Sequence, residues 1–285
     1  MGMKGRWRYV VPNLLTSVSI SLGLYAIGQS VAGKFDNAAW ACLICVLLDK
    51  ADGTAARLLK ASSEFGAQMD SLSDLITFGV APGTLVLAAL VGHKPVMVID
   101  AIPLFKPFVY VSAFLFVICS ALRLAKFNIV KDAYGKDYFF GIPTTMCGAV
   151  VCAYYLTLRK YELPWQFYAA LPAITFILAL LLVSRVPLHK LGVRKSMAMN
   201  IFQFSNVAAA YVFGFMRIFP EYLLAIASSY MIGSVLYLLL KGVRAPQLRY
   251  NTASGVPERI EEGETDSGDA QSGDAESDDA AKPES

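Results

Sequence analysis

The sequence predicts an all-α, polytopic transmembrane helical bundle of about eight helices, and three observations carry that expectation. Of its 285 residues, 56% are hydrophobic and 16% charged, with a mean hydropathy of +0.51, a balance too apolar for an ordinary soluble domain. Apolar stretches of membrane-crossing length recur at 12–32, 37–58, 67–91, 97–124, 139–158, 165–184, 199–219 and 221–240. The basic residues divide unevenly between alternate breaks, as they do in membrane proteins of fixed orientation.

Taken in order, the first stretch follows the basic start KGRWR and is of full membrane length, so it reads as a first span and not as a cleavable leader. Gly33 closes it. The second and third stretches carry Asp49 and Asp52, then Asp70 and Asp74, and the third ends at the Gly92–Pro95 loop. The later breaks fall at Gly135, Pro164, Pro187 with Gly192, and Pro220. With the N-terminus cytoplasmic, 16 Lys and Arg residues lie at inner loops. Only six lie at outer ends: Lys34, Lys94, Lys106, Arg159, Lys160 and Arg217. The pattern predicts an inner-membrane, multi-pass protein with both termini inside and the aspartates facing the cytoplasm.

Residues 1–250 form the expected membrane domain, with 23 basic and 11 acidic residues; residues 251–285 hold the other 11 acids and only two bases. That acidic segment, poor in apolar residues, is expected to be a disordered cytoplasmic tail. A basic membrane domain suits anionic substrates or anionic lipid, and no nucleic-acid partner is expected. Cys42, Cys45, Cys119, Cys147 and Cys152 all lie in apolar runs and read as small core residues. His93 and His189 fall in loops without partner spacing and read as solvated.

The informative segment is DKADGTAARLLKASSEFGAQMDSLSD, Asp49 to Asp74. On helices, Asp49 and Asp52 share one face, as do Asp70 and Asp74. Carboxylates at membrane depth need compensation, and two such helices side by side would offer oxygen ligands to one or two divalent cations, Mg²⁺, Mn²⁺ or Ca²⁺ in preference to zinc. Gly53 and Ala56 keep the Asp49 face free of bulk, Gly66 clears space beside Asp70, and Arg57 suits a phosphate bridging metal and protein.

The spacing D-x2-D-G-x2-A-R-x8-G-x3-D-x3-D, met by Asp49, Asp52, Gly53, Ala56, Arg57, Gly66, Asp70 and Asp74, resembles the signature of the CDP-alcohol phosphatidyltransferases. PNLLT from Pro12, SEFGAQMDSLSDLITFGVAPG from Ser63, SALRLAKFN from Ser120 and FFGIPTT from Phe139 resemble the phosphatidylserine synthase branch, with Lys126 where members often carry arginine. The resemblance covers most of the first five stretches. It implies metal-dependent transfer of a phosphatidyl group from CDP-diacylglycerol to the hydroxyl of L-serine, giving phosphatidylserine and CMP, in a homodimer embedded in membrane lipid.

On that resemblance Asp49, Asp52 and Asp70 are metal ligands. Asp74 is a further ligand or the general base. The CDP moiety lies along Asn13, Asp49, Gly53, Ala56, Arg57 and Gly66, and Mn²⁺ or Mg²⁺ is the cofactor. Arg123 is the expected bidentate partner of the serine carboxylate, with Ser120, Lys126, Asn128 and Lys190 as further polar candidates. Glycerol 3-phosphate, inositol or choline are alternative acceptors, and an archaeal-type lipid is an alternative donor. An ion-coupled transporter is the rival from another class; it would place polar groups at the bilayer midplane within inverted repeats.

Overall fold

The computed structural model describes residues 3–59, 63–92, 104–130, 138–189, 197–242, 248–250 and 257–259. Helix α1 (Met3–Val31) and helix α2 (Phe35–Leu58) pack along each other as an antiparallel hairpin. The turn between them depends on Gly33, whose φ of 75° lets its N–H reach Ser30 O and the Lys34 N–H reach Gln29 O, closing the last turn of α1.

The third rod, Glu64–Gly92, joins α3 (Glu64–Asp74), a π-helical turn (Leu75–Val80), α4 (Ala81–Leu87) and a second π turn (Ala88–Gly92). Ser63 caps its start, accepting the Gly66 N–H at 3.0 Å. The first π turn has a local cause. Pro82 has no N–H to return to Phe78 O, and the ladder widens so that the Ala81 N–H donates to Ile76 O.

Then follow α5 (Phe105–Val130), β1 (Tyr138–Phe140), α6 (Thr144–Lys160), α7 (Trp165–Ala169), α8 (Leu171–Val183), β2 (Pro187–His189), α9 (Met197–Met216) and α10 (Pro220–Leu240). A hairpin of β3 (Leu248–Tyr250) and β4 (Pro257–Arg259) comes last, antiparallel with Leu248 opposite Arg259. The expected boundary between residues 250 and 251 falls within this hairpin. Residues 260–285 lie outside the described residues.

The helical rods follow the apolar stretches, and the protein is an all-α membrane protein. Five rods are long and apolar enough to cross a bilayer: Val10–Val31, Glu64–Gly92, Phe105–Ile129, Trp165–Val183 and Pro220–Leu238. The expected count of eight exceeds these five among the described residues, since α2 carries its aspartates, α6 is 17 residues long and α9 carries the polar Asn200, Gln203 and Asn206. The span expected from residue 139 begins instead at Thr144. Tyr138–Phe140 pair antiparallel with Pro187–His189, Gly141 turns at φ 82°, and Pro143 follows.

Helix α5 shows the membrane logic directly. Val109, Ala113, Phe116, Ser120 and Leu124 are buried at helical spacing, while Val111, Phe114, Ile118, Leu122 and Ile129 form an exposed apolar stripe on another face. In water such a stripe would be a liability; against acyl chains it needs no cover. Inside, α5 packs on α8, α6 on α2 and α10, and α1 on both α2 and α3. At Gly148 of α6 two helices cross backbone to backbone, and an added Cβ would stand 2.9 Å from Phe78 O and 3.0 Å from Phe78 Cα. That crossing fixes the rod bearing Asp70 and Asp74 against α6.

Candidate functional site

Because α1 lies against both α2 and α3, the two aspartate-bearing helices are brought face to face. Asp49, Asp70 and Asp74 each present a carboxylate oxygen, and these atoms lie within 4.8 Å of one another. Asp52 is 5% exposed and outside this trio: its Oδ2 accepts a hydrogen bond from Thr16 Oγ1 at 3.1 Å, a hydroxyl that also approaches Pro12 O at 3.0 Å. Thr16 closes the PNLLT block, and it ties that block to the aspartates.

Four acids repel one another strongly where water is scarce. Lys50 acts on Asp49 and Arg123 on Asp74, so two cations face four carboxylates among the groups that interact with them. The trio fits a hard divalent cation. Oxygen ligands around Mg²⁺ or Ca²⁺ stand up to about 4–5 Å apart across the ion, and carboxylate is the donor these ions select.

Beside the trio the chain leaves room. A Cβ added at Gly53 would meet nothing within 4 Å. At Gly66 it would meet Ser63 Oγ at 3.1 Å and Asn13 Oδ1 at 3.5 Å, so Asn13 borders the entry of α3. Ala56 is half-buried on the following turn of α2. Arg57 continues α2, but its side chain lies outside the described part. Gly53→Leu is therefore expected to leave the folded yield unchanged and to raise the apparent KM for a nucleotide-linked substrate at least tenfold. Steady-state kinetics on membranes of matched protein content would read it.

Arg123 donates from Nε to Ile142 O at 2.6 Å and stacks 5.7 Å from the Phe127 ring centroid. This bond ties SALRLAKFN to FFGIPTT, and Asp74 is the trio member on which Arg123 acts most directly. Asn128 faces α3: its Nδ2 donates to Ser71 Oγ at 2.9 Å and approaches Gln68 Oε1 at 3.5 Å. Ser120 is fully buried, donates to Phe116 O at 2.7 Å and packs against Gly79, which places it in a helix contact away from the open groove. Lys126 lies near Arg185 at the end of α5. Lys190, His93 and the side chain of His189 fall outside the described residues.

Thr16, Gln68 and Ser71 were not singled out from the sequence. The signal for Thr16 lay in PNLLT; Gln68 and Ser71 sit between the aspartates on the turns beside Asp70, but only the packed α3–α5 pair reveals their partner. The five cysteines are buried and free, and Cys45 Sγ lies 3.6 Å from Ser19 O.

A model of the CDP-alcohol phosphatidyltransferase family matches residues 9–184. The chain is 36% identical over 154 residues to a CDP-diacylglycerol–serine O-phosphatidyltransferase of Helicobacter pylori, covering 54% of this chain and 60% of that protein. It is 35% identical over 159 residues to an archaetidylserine synthase of Methanothermobacter thermautotrophicus, covering 55% and 62%. It is 33% identical over 138 residues to a CDP-diacylglycerol–serine O-phosphatidyltransferase of Bacillus subtilis, covering 48% and 71%. The chain thus spans about 60% of the length of the Helicobacter protein.

Proposed function

Because the chain belongs to the CDP-alcohol phosphatidyltransferase family, we propose that it transfers the phosphatidyl group of CDP-diacylglycerol to the hydroxyl of L-serine, giving phosphatidylserine and CMP. The observation that carries this reading is the convergence of Asp49, Asp70 and Asp74 beside the open face of Gly53. Serine as the acceptor is supported by the names of both bacterial and archaeal relatives, whose lipids differ while the amino acid is shared.

CDP-alcohol phosphatidyltransferases use divalent cations, and here Asp49, Asp70 and Asp74 would hold one, Mg²⁺ or Mn²⁺, with Asp52 supporting them through Thr16. Such a cation, when bound, would neutralise the diphosphate and make CMP a better leaving group. The chain's own residues do the rest. Asn13, Gly53, Ala56, Arg57 and Gly66 line the path for the CDP moiety. Arg123, anchored through Nε, offers its remaining N–H groups to the serine carboxylate, and Asn128 adds a polar edge. The serine hydroxyl oxygen bonds to the lipid-bearing phosphorus as the phosphorus–oxygen bond to CMP breaks, and Asp74, which interacts with Arg123, takes the hydroxyl proton.

The excess of basic residues at alternate breaks supports an inner-membrane orientation with both termini and this site on the cytoplasmic side. Arg123→Ala is expected to raise the serine KM at least tenfold while changing the CDP-diacylglycerol KM less than threefold. An unchanged serine KM would return Arg123 to a purely structural role. The reaction itself is tested by CMP release from CDP-diacylglycerol in mixed micelles, with serine, glycerol 3-phosphate, inositol and choline offered separately. Serine-dependent release is expected; release with another alcohol alone would discard the serine assignment, and none with any would reopen the transporter reading.

A further inference from the structure

At the far end of the bundle from the aspartates lies a cavity of about 570 Å³. Asp36 on its wall and Asp49 stand thirteen residues apart on α2, about 20 Å at 1.5 Å per residue. Three cations line it, Arg159, Lys160 and Arg217, together with the apolar surfaces of Trp40 and Phe219. Two of the cations are held in ion pairs: Arg159 Nε with Asp36 Oδ1 at 3.4 Å, and Lys160 Nζ with Glu221 Oε1 at 2.6 Å. Arg217 forms no ion pair among the described residues, so the cavity keeps an uncompensated guanidinium.

The backbone around it is unusual. The three non-glycine residues with positive φ among the described residues are Glu162, Arg217 and Phe219, at 47°, 54° and 52°, and all three sit in the two turns that bracket this cavity. Arg217 ends α9 in a closing turn, with its N–H on Gly214 O and the Ile218 N–H on Phe213 O, a position where glycine would be relaxed. A strained arginine held at a cavity wall, where glycine would serve the turn better, needs a reason in its side chain. The Lys160 ammonium lies 4.8 Å from the Phe219 ring centroid, so charge and apolar surface are joined in one wall.

We propose that this cavity binds a phosphate group, remote from the catalytic aspartates, with Arg217 as the principal contact and Arg159 and Lys160 as secondary ones. A guanidinium fork matches phosphate oxygens, and two flanking cations raise the local positive charge. The volume and the aromatic wall suit a phosphate carried on a glycerolipid; free phosphate shares the same chemistry.

The test uses the purified full-length protein and native mass spectrometry, with phosphatidylglycerol, diacylglycerol of the same chains, and inorganic phosphate as a competitor. Arg217→Gly removes the guanidinium while relieving the left-handed backbone, so it folds, and it lies outside the catalytic machinery, so CMP release stays at the wild-type rate. The expected result is one retained equivalent of phosphatidylglycerol in the wild type, not matched by diacylglycerol, weakened at least tenfold in Arg217→Gly and largely kept in Arg217→Lys. Displacement by millimolar inorganic phosphate would assign the site to free phosphate, and resistance to it would assign the site to lipid. Equal retention by wild type and Arg217→Gly, or equal retention of diacylglycerol, would overturn the proposal.

Discussion

Asp74→Asn is expected to lower CMP release by at least about 10²-fold, the usual range for losing a positioned proton acceptor, the role proposed for Asp74, while the protein still reaches the membrane folded. Two consequences of the geometry separate this from a trivial loss of fold. Asp74 stands in a trio whose oxygens lie within 4.8 Å of one another, so neutralising one member relieves repulsion in the cation-free protein. The asparagine variant is therefore expected to unfold at the same temperature as the wild type or higher when chelator is present. Added divalent cation should raise the unfolding temperature of the wild type and do so far less in the variant. Thermal unfolding in detergent, with and without EDTA, reads both. A variant that unfolds early under chelation would make Asp74 a structural residue.

Gly148→Leu is expected to abolish the folded protein, and Gly148→Ala to destabilise it by about 1–3 kcal/mol, the range for overpacked contacts. The cause is backbone against backbone. A Cβ at Gly148 would stand 2.9 Å from Phe78 O and 3.0 Å from Phe78 Cα, and neither atom can rotate away as a side chain can. Phe78 is one turn beyond Asp74 on the same rod, within the π turn, so whatever separates α6 from Phe78 also shifts the aspartate that faces α2. The alanine variant should thus lose activity beyond its loss of folded protein. The contrast with Gly53 is direct, since Gly53 faces open space and its enlargement is expected to spare the fold. Size-exclusion profiles and activity per folded molecule distinguish the two glycines.

Much of the site was legible because its chemistry is local in sequence. Asp49 with Asp52 and Asp70 with Asp74 are helical neighbours, so helical periodicity alone puts each pair on a common face. The trio's composition was not legible, because the withdrawal of Asp52 toward Thr16 depends on how α1 lies against α2. Likewise, Ser120 resembled a substrate-facing hydroxyl in sequence, but its neighbour Gly79 lets α5 approach the third rod, and the serine is consumed in that contact. The helix expected from residue 139 begins five residues later for a reason invisible in hydropathy: Tyr138–Phe140 pair with a strand 49 residues farther along the chain. Gly33 and Pro82 needed no such distant partner, since one supplies a left-handed turn and the other removes a donor from its own helix.

On the proposed function, Asp49, Asp70 and Asp74 form one cation site to which the nucleotide diphosphate binds. The most direct test of that claim is Mn²⁺ binding to the purified protein, followed by electron paramagnetic resonance, for the wild type and Asp70→Asn, each with and without CDP. The expected result is saturable Mn²⁺ binding that CDP tightens and that Asp70→Asn weakens at least tenfold. Binding of equal affinity in the wild type and the variant, indifferent to CDP, would contradict the claim.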